Sequence, residues 1–268
     1  MKKFIIFNLV IINLFTGSLL SKDYEYRLNE QFLLNFLNDS LQIFYSPKEW
    51  RNKDLLKFGI IAGTTYLLYK NDEEIKSWVL SHKNQTTNEI SKYIRNFGDG
   101  NYITGLLGGI YLIGEISNEK SLRKTALLGF ESFIISGLIV SGIKILAGRM
   151  RPYASNKANK FFPFRSESKY HSFPSGHSAA AFAVATVISE QSKNLLIDIL
   201  AYSTASLVAL SRVNDNFHWA SDIFVGSAIG YFVGKKIVKI HLQKESASFN
   251  VHIAMKNEKF SFIISYSF

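Results

Sequence analysis

The chain contains no cysteine, which excludes disulfides, thiolate metal sites and a cysteine nucleophile. It has few chain breakers, with 4 Pro and 17 Gly in 268 residues. Hydrophobic residues make up 47% of it, with 22 Phe and 13 Tyr. That composition is globular rather than disordered, and the length suffices for one sizeable domain with short appendages. No tandem repeat or low-complexity stretch is present. Acidic residues are the scarcer charge: 21 Asp and Glu against 31 Lys and Arg leave a formal net charge of +10. Such a balance favours anionic partners. Nucleic acid is not indicated, because the basic residues are scattered and no nucleic-acid-binding motif occurs.

Residues 1–21 read as a secretory signal. Lys2 and Lys3 precede an apolar run over 4–15, and Thr16, Gly17 and Ser18 offer small residues for cleavage. An uncleaved anchor is the competing reading. Residues 22–54 form an N-terminal appendage, with Leu33, Phe36, Leu37, Leu41 and Phe44 at helical spacing and Pro47 ending the run. Six apolar segments follow at 55–70, 101–116, 126–146, 177–189, 195–210 and 222–240, and their length and composition predict helices. The expectation is an all-α bundle of about six core helices over 55–242. Beyond a polar linker, two alternating stretches, Phe249 to Met255 and Phe260 to Phe268, predict a small β-hairpin within 243–268.

Several of these segments are short for a bilayer. Residues 177–189 rise only about 20 Å as a helix, against a hydrocarbon core of about 30 Å. Glu131 and Asp198 interrupt two others, and mean hydropathy is +0.06. A cleaved leader would also leave the motifs below on the cytoplasmic side if all six segments crossed. The expectation is an exported domain in or near the cell envelope, periplasmic and membrane-associated, with an integral membrane protein as the alternative.

Three clusters carry chemistry. The first runs from Lys144 through Gly148 and Arg149 to Arg151-Pro152. The second is Phe173-Pro174-Ser175-Gly176-His177-Ser178. The third runs from Ser211-Arg212 to His218 and Asp222. His218 and Asp222 are four apart, a spacing that shares one face of a helix. A carboxylate on Nδ1 fixes the tautomer and leaves Nε2 a lone pair, as a nucleophilic imidazole requires. Taken alone, the pair is equally an ordinary surface contact. Gly176 and His177 open an apolar helix whose N-terminal N–H groups suit an anion, with Ser175 as cap; a plain N-cap turn has the same sequence. Lys144 and Arg151 near a helix C-terminus have a routine explanation in the helix dipole, but a lysine flanked by isoleucines calls for a partner.

Together the clusters supply an anion cradle of Lys144, Arg151 and Arg212 beside two histidines. This is the inventory of phosphoryl transfer, which rests on positioning and charge stabilisation. His218 would attack phosphorus and His177 would protonate the leaving alkoxide, then activate water. That scheme needs His218 neutral and His177 protonated.

Lys-x6-Arg-Pro, Pro-Ser-Gly-His and Ser-Arg-x5-His-x3-Asp, complete and in order, resemble the three-part signature of the type-2 phosphatidic acid phosphatase (PAP2) superfamily. The resemblance covers the helical core and neither end of the chain. It implies a helical bundle and a metal-independent phosphatase without cofactor. It implies phosphate binding by Lys144, Arg151, Ser175, Gly176 and Arg212, with His177 as acid, His218 as nucleophile and Asp222 orienting it. The expected substrate is a phosphate ester, a lipid phosphate or pyrophosphate being favoured by the apolar surroundings. Two alternatives stay open. Vanadium-dependent haloperoxidases share the cradle, since vanadate mimics phosphate; a non-catalytic envelope protein would use the bundle for assembly. The loop 153–172, with Lys157, Lys160, Arg165, Lys169, Phe161, Phe162, Phe164 and His171, reads as a substrate gate or a solvated basic loop. His82, His241 and His252 show no ligand spacing, and Asp215 and Trp219 take no role from sequence.

Overall fold

A computed structural model of the chain describes residues 26–246, 249–256 and 259–266; the signal expected at 1–21 lies outside them. The helices are α1 Glu30–Tyr45, α2 Asn52–Ser81, α3 Gln85–Ile94, α4 Gly100–Ile116, α5 Lys120–Ala147, α6 Gly176–Ser192, α7 Leu195–Asn214 and α8 Ala220–Ser246. The chain is all-α over this span, and α2 with α4 to α8 are the six core helices. Several starts have a local cause. Asn29, Asp99, Ser175 and Asn194 each accept a hydrogen bond from a first-turn N–H. α5 stops at Gly148, whose φ of +57° glycine adopts most readily and where a Cβ would lie 1.9 Å from the Phe162 carbonyl oxygen.

Two elements differ from the expectation. α2 runs eleven residues past the apolar segment 55–70, through Asn71-Asp72-Glu73-Glu74, because two of those side chains, Asp72 and Glu73, are engaged by other elements. Asp72 is fully buried, and Glu73 accepts the Ala158 N–H at 3.0 Å. α3 has no apolar run to announce it. Its signal is the reciprocal cap between Asn84 and Thr87.

α5 packs on α4 and α6, α6 on α7, and α7 on α3. α6 is the central helix, and its alanines serve two fronts. Ala180 and Val184 meet Ile103 and Leu107 of α4, while Ala181 and Ala185 meet Ala205 and Val208 of α7. α8 approaches α6 through Gly226, Gly230 and Gly234. Cβ atoms built there would fall 2.3 Å, 2.1 Å and 2.9 Å from the carbonyl oxygens of Ser175, Ala179 and Ala183. Small residues every fourth position allow backbones this close, and this seam fixes the start of α8 against the start of α6.

Leu28–Val238 form one unit; the chain from Lys239 on, with the last eight residues of α8, belongs to a second. In the second, β1 Phe249–Lys256 and β2 Lys259–Tyr266 pair antiparallel, Phe249 opposite Tyr266 and Lys256 opposite Lys259.

Candidate active site

The three clusters meet at one end of the bundle, where α5 and α7 finish and α6 and α8 begin. The Ser175 N–H donates to the Asp222 carbonyl at 3.0 Å, and the Ser172 N–H donates to the Arg149 carbonyl at 3.0 Å, so all three clusters are joined through backbone.

The cations converge in pairs. Lys144 donates to the His171 carbonyl at 2.6 Å, and Arg151 reaches the same oxygen at 3.5 Å. Arg151 and Arg212 lie on the ring of Phe217, 5.3 Å and 4.8 Å from its centroid. Phe217 thus holds two guanidinium groups together by cation–π attraction that offsets their repulsion. Arg212 is further tied to Asp215 at 3.1 Å, and Asp215 accepts from Ser91 at 2.6 Å and Arg95 at 3.2 Å. The Nε atoms of Arg151 and Arg212 are buried without a hydrogen-bond partner. A buried unpaired donor costs about 1–3 kcal/mol, more when charged, so these two mark a place prepared for an acceptor. Burial lowers the Arg151 pKa, against the opposing pull of Tyr153 and Asp222.

Ser175 caps α6 and accepts from the Ser178 hydroxyl at 2.9 Å. Its own hydroxyl proton is thereby left to point elsewhere. Gly176 begins the helix. His177 follows, half-buried, within electrostatic range of Lys144, Arg151 and Arg212. Gly98 supports it from the turn before α4: a Cβ there would lie 2.8 Å from the His177 carbonyl oxygen.

His218 is not on α8, as the spacing suggested, but in the turn before it. Asn216 has a φ of +60°, and the N–H groups of Phe217 and His218 both donate to the Arg212 carbonyl. The imidazole is nevertheless brought to Asp222, with Nδ1 3.6 Å from Oδ2. That is an ion-pair distance rather than a hydrogen bond, and Nδ1 has no other partner. Burial is the main reason the His218 pKa is pushed down to about 3; the neighbouring Asp222 carboxylate opposes this and Lys144 reinforces it. The ring is therefore neutral at ordinary pH.

The carboxylate of Asp222 is held by groups the sequence did not single out. Its Oδ2 accepts from the Ser172 hydroxyl at 2.5 Å and the Trp219 N–H at 2.9 Å. Its Oδ1 accepts from Arg149 at 2.6 Å. Arg149 was visible only as part of the first cluster's string, and Asp72, its second partner at 2.7 Å, had no signal beyond being an acid inside a continuing helix. Lys76, one turn further along α2, donates to the carbonyls of Pro152 and Ser155 at 2.6 Å and 3.0 Å, tying the loop after α5 to α2.

Fold and site together define a class: a helical bundle with three cations and two histidines gathered at one end. Residues 125–246 match the family model of the PAP2 superfamily. A lipid A 1-phosphatase of Porphyromonas gingivalis is 33% identical over 124 residues, covering 46% of this chain and 25% of that protein. A PA-phosphatase related-family protein of Dictyostelium discoideum is 33% identical over 132 residues, covering 44% and 48%. The matched region is thus half or less of these relatives' length. The crystal structure of a transmembrane PAP2 type phosphatidylglycerolphosphate phosphatase from Bacillus subtilis superimposes with a TM-score of 0.54. It covers 82% of this chain and 98% of that one at 23% identity, a likeness of fold.

Proposed function

We propose that the chain is a membrane-embedded phosphatase that hydrolyses a lipid phosphate or pyrophosphate through a phosphohistidine on His218. The observation that carries this is the pair of buried, unpartnered guanidinium Nε atoms of Arg151 and Arg212 beside a neutral buried imidazole. In the proposed cycle Lys144, Arg151, Arg212, the Ser175 hydroxyl and the N–H groups at Gly176 hold the phosphate oxygens. The Nε2 lone pair of His218 attacks phosphorus while the P–O bond to the alcohol breaks, and His177 donates its proton to that oxygen. His177 then takes a proton from water, whose oxygen displaces Nε2 from phosphorus and releases inorganic phosphate. His177 sits among three cations, so it is the arriving phosphate dianion that favours its protonated form.

The outer surface supports the lipid environment. α5 and α7 are long and apolar enough to cross a bilayer. Leu56 and Leu67 on α2, Leu112 and Ile116 on α4, Leu146 on α5, and Leu195 and Leu196 on α7 are all exposed. Exposed apolar area on this scale belongs in contact with another phase or protein. The short apolar segments underestimated helix length, since α2, α5 and α8 contain 30, 28 and 27 residues.

The test is phosphate release by purified protein in detergent, with chelator present, on a phosphatidate and on para-nitrophenyl phosphate. Turnover by wild type, lost in His218→Ala, supports the reading, and the ratio of the two substrates reports lipid preference. Equal background in both proteins removes the phosphatase assignment for these substrates. Halide oxidation on adding vanadate would instead favour the haloperoxidase chemistry that shares the cradle.

A further inference from the structure

Behind the imidazole lies a buried chain of charges that runs across three elements: Asp72 on α2, Arg149 after α5, and Asp222 on α8. All three side chains are essentially excluded from solvent, at 0%, 1% and 0% exposure. Arg149 uses every edge of its fork. Nη2 donates to Asp72 Oδ2 at 2.7 Å, Nη1 donates to Asp222 Oδ1 at 2.6 Å and to the Ser221 hydroxyl at 2.7 Å, and Nε donates to the Ala158 carbonyl at 3.0 Å. Asp72 is held in turn by Ser221, whose N–H and hydroxyl donate to it at 2.9 Å and 2.5 Å. The rings of Tyr69, Phe161 and Trp219 lie about the guanidinium, with centroids 5.1–5.6 Å from its central carbon.

The charge count is what makes this arrangement informative. Arg149 with Asp222 alone is a neutral pair, and a neutralised carboxylate has little field left for His218. A second carboxylate on the far side of Arg149 returns the buried group to a net charge of −1, with Asp222 at the end nearest the imidazole. When the P–N bond forms, His218 passes from neutral to cationic. The opposing charges around it are Lys144 and Arg151, which both lower the stability of a cation there. In a water-poor site a fixed net charge is screened less than in water.

We propose that Asp72 and Arg149 are positioning residues for Asp222: Arg149 fixes the carboxylate in place, and Asp72 cancels the guanidinium charge so that Asp222 stabilises the cationic phosphohistidine. The inference rests on the phosphohistidine reading above. A merely structural strap predicts something different. It would lose most when both partners are removed, whereas the electrostatic role is recovered when both are removed, because Asp222 alone again leaves −1.

The experiment is steady-state and single-turnover kinetics on para-nitrophenyl phosphate with the full chain in detergent, for wild type, Asp72→Asn, Arg149→Gln, Arg149→Lys and the double variant Asp72→Asn/Arg149→Gln. Thermal melting of each accompanies the kinetics. Asp72→Asn lowers kcat by about tenfold or more, the scale of an electrostatic contribution inside a closed site, with KM within about twofold because no phosphate contact is touched. Arg149→Lys, which keeps the charge, retains more activity than Arg149→Gln. The double variant is several-fold faster than Asp72→Asn, and its phosphohistidine forms faster in a single turnover. A double variant as slow as or slower than both singles overturns the proposal, as does wild-type kcat in Asp72→Asn. Where Asp72→Asn does not fold, the order of the double variant against Arg149→Gln and Arg149→Lys decides the same question. Absence of turnover in wild type would instead count against the phosphatase reading itself.

Discussion

At the scale of single residues, the proposed cycle requires His218 to be uncharged before reaction and stabilised after it. Its depressed pKa has a consequence for stability that is separate from catalysis. Unfolded histidine titrates near 6.5, whereas folded His218 titrates at about 3. Between those values the unfolded chain binds the extra proton, so stability rises with pH. It is fully present above about pH 6.5 and is lost as the pH falls toward about 3. The melting temperature of wild type should therefore fall more steeply than that of His218→Asn as the pH is lowered from about 7 to about 4. Parallel curves would mean the imidazole is not held neutral by burial. Phe217 makes a second prediction. Its ring seats both Arg151 and Arg212, so Phe217→Leu should raise KM for a phosphate ester by several-fold while leaving the melting temperature nearly unchanged, since the ring is partly exposed. Unaltered KM would show that the two cations need no such seat. The residues that touch phosphate in this account were legible in the sequence because phosphoryl chemistry demands particular residue types at particular spacings. Phe217, Asp72 and Ser172 were not. Each acts through a neighbour distant in sequence, and aromatic, acidic and hydroxyl residues occur everywhere for other reasons.

At the scale of elements, the seam between α6 and α8 sets the distance between His177 and His218. Gly230 has the tightest fit, with a Cβ placed 2.1 Å from the Ala179 carbonyl oxygen and 2.8 Å from the Ala183 nitrogen. Backbone cannot yield as a flexible side chain can. Gly230→Ala should cost about 1–3 kcal/mol, the usual range for overpacking, and should lower kcat as well, because separating the helices separates the two histidines. Its thermal melt and its kinetics should change together. Loss of stability with full activity would place the control of geometry elsewhere. The helices were legible where apolar periodicity was strong, and their ends were not. α2 continues through Asp72 and Glu73 because those side chains find partners on the loop after α5 and at the start of α8. No periodicity within α2 encodes that. α3 is short and polar, and what fixes it is its cap together with buried Ser91, which donates to Asp215.

At the scale of the whole molecule, the open question raised by the sequence was whether so modest an overall hydropathy permits a bilayer. The average is low because charged loops and charged stretches within α2 and α8 offset the apolar surface, while the outward faces of α2, α4 and α7 expose leucine and isoleucine. Mean hydropathy is blind to that segregation. The account predicts that the protein stays with membranes after a carbonate wash and is extracted by detergent; release by carbonate would contradict embedding.

The central claim, a covalent phosphoryl group on His218, is tested most directly by single-turnover reaction with a ³²P-labelled phosphate ester and an alkaline quench that preserves phosphohistidine. Label should appear on wild-type protein within one turnover and decay as inorganic phosphate is released, and His218→Ala should carry none. Wild-type turnover with no labelled protein, or label that persists in His218→Ala, would contradict the account.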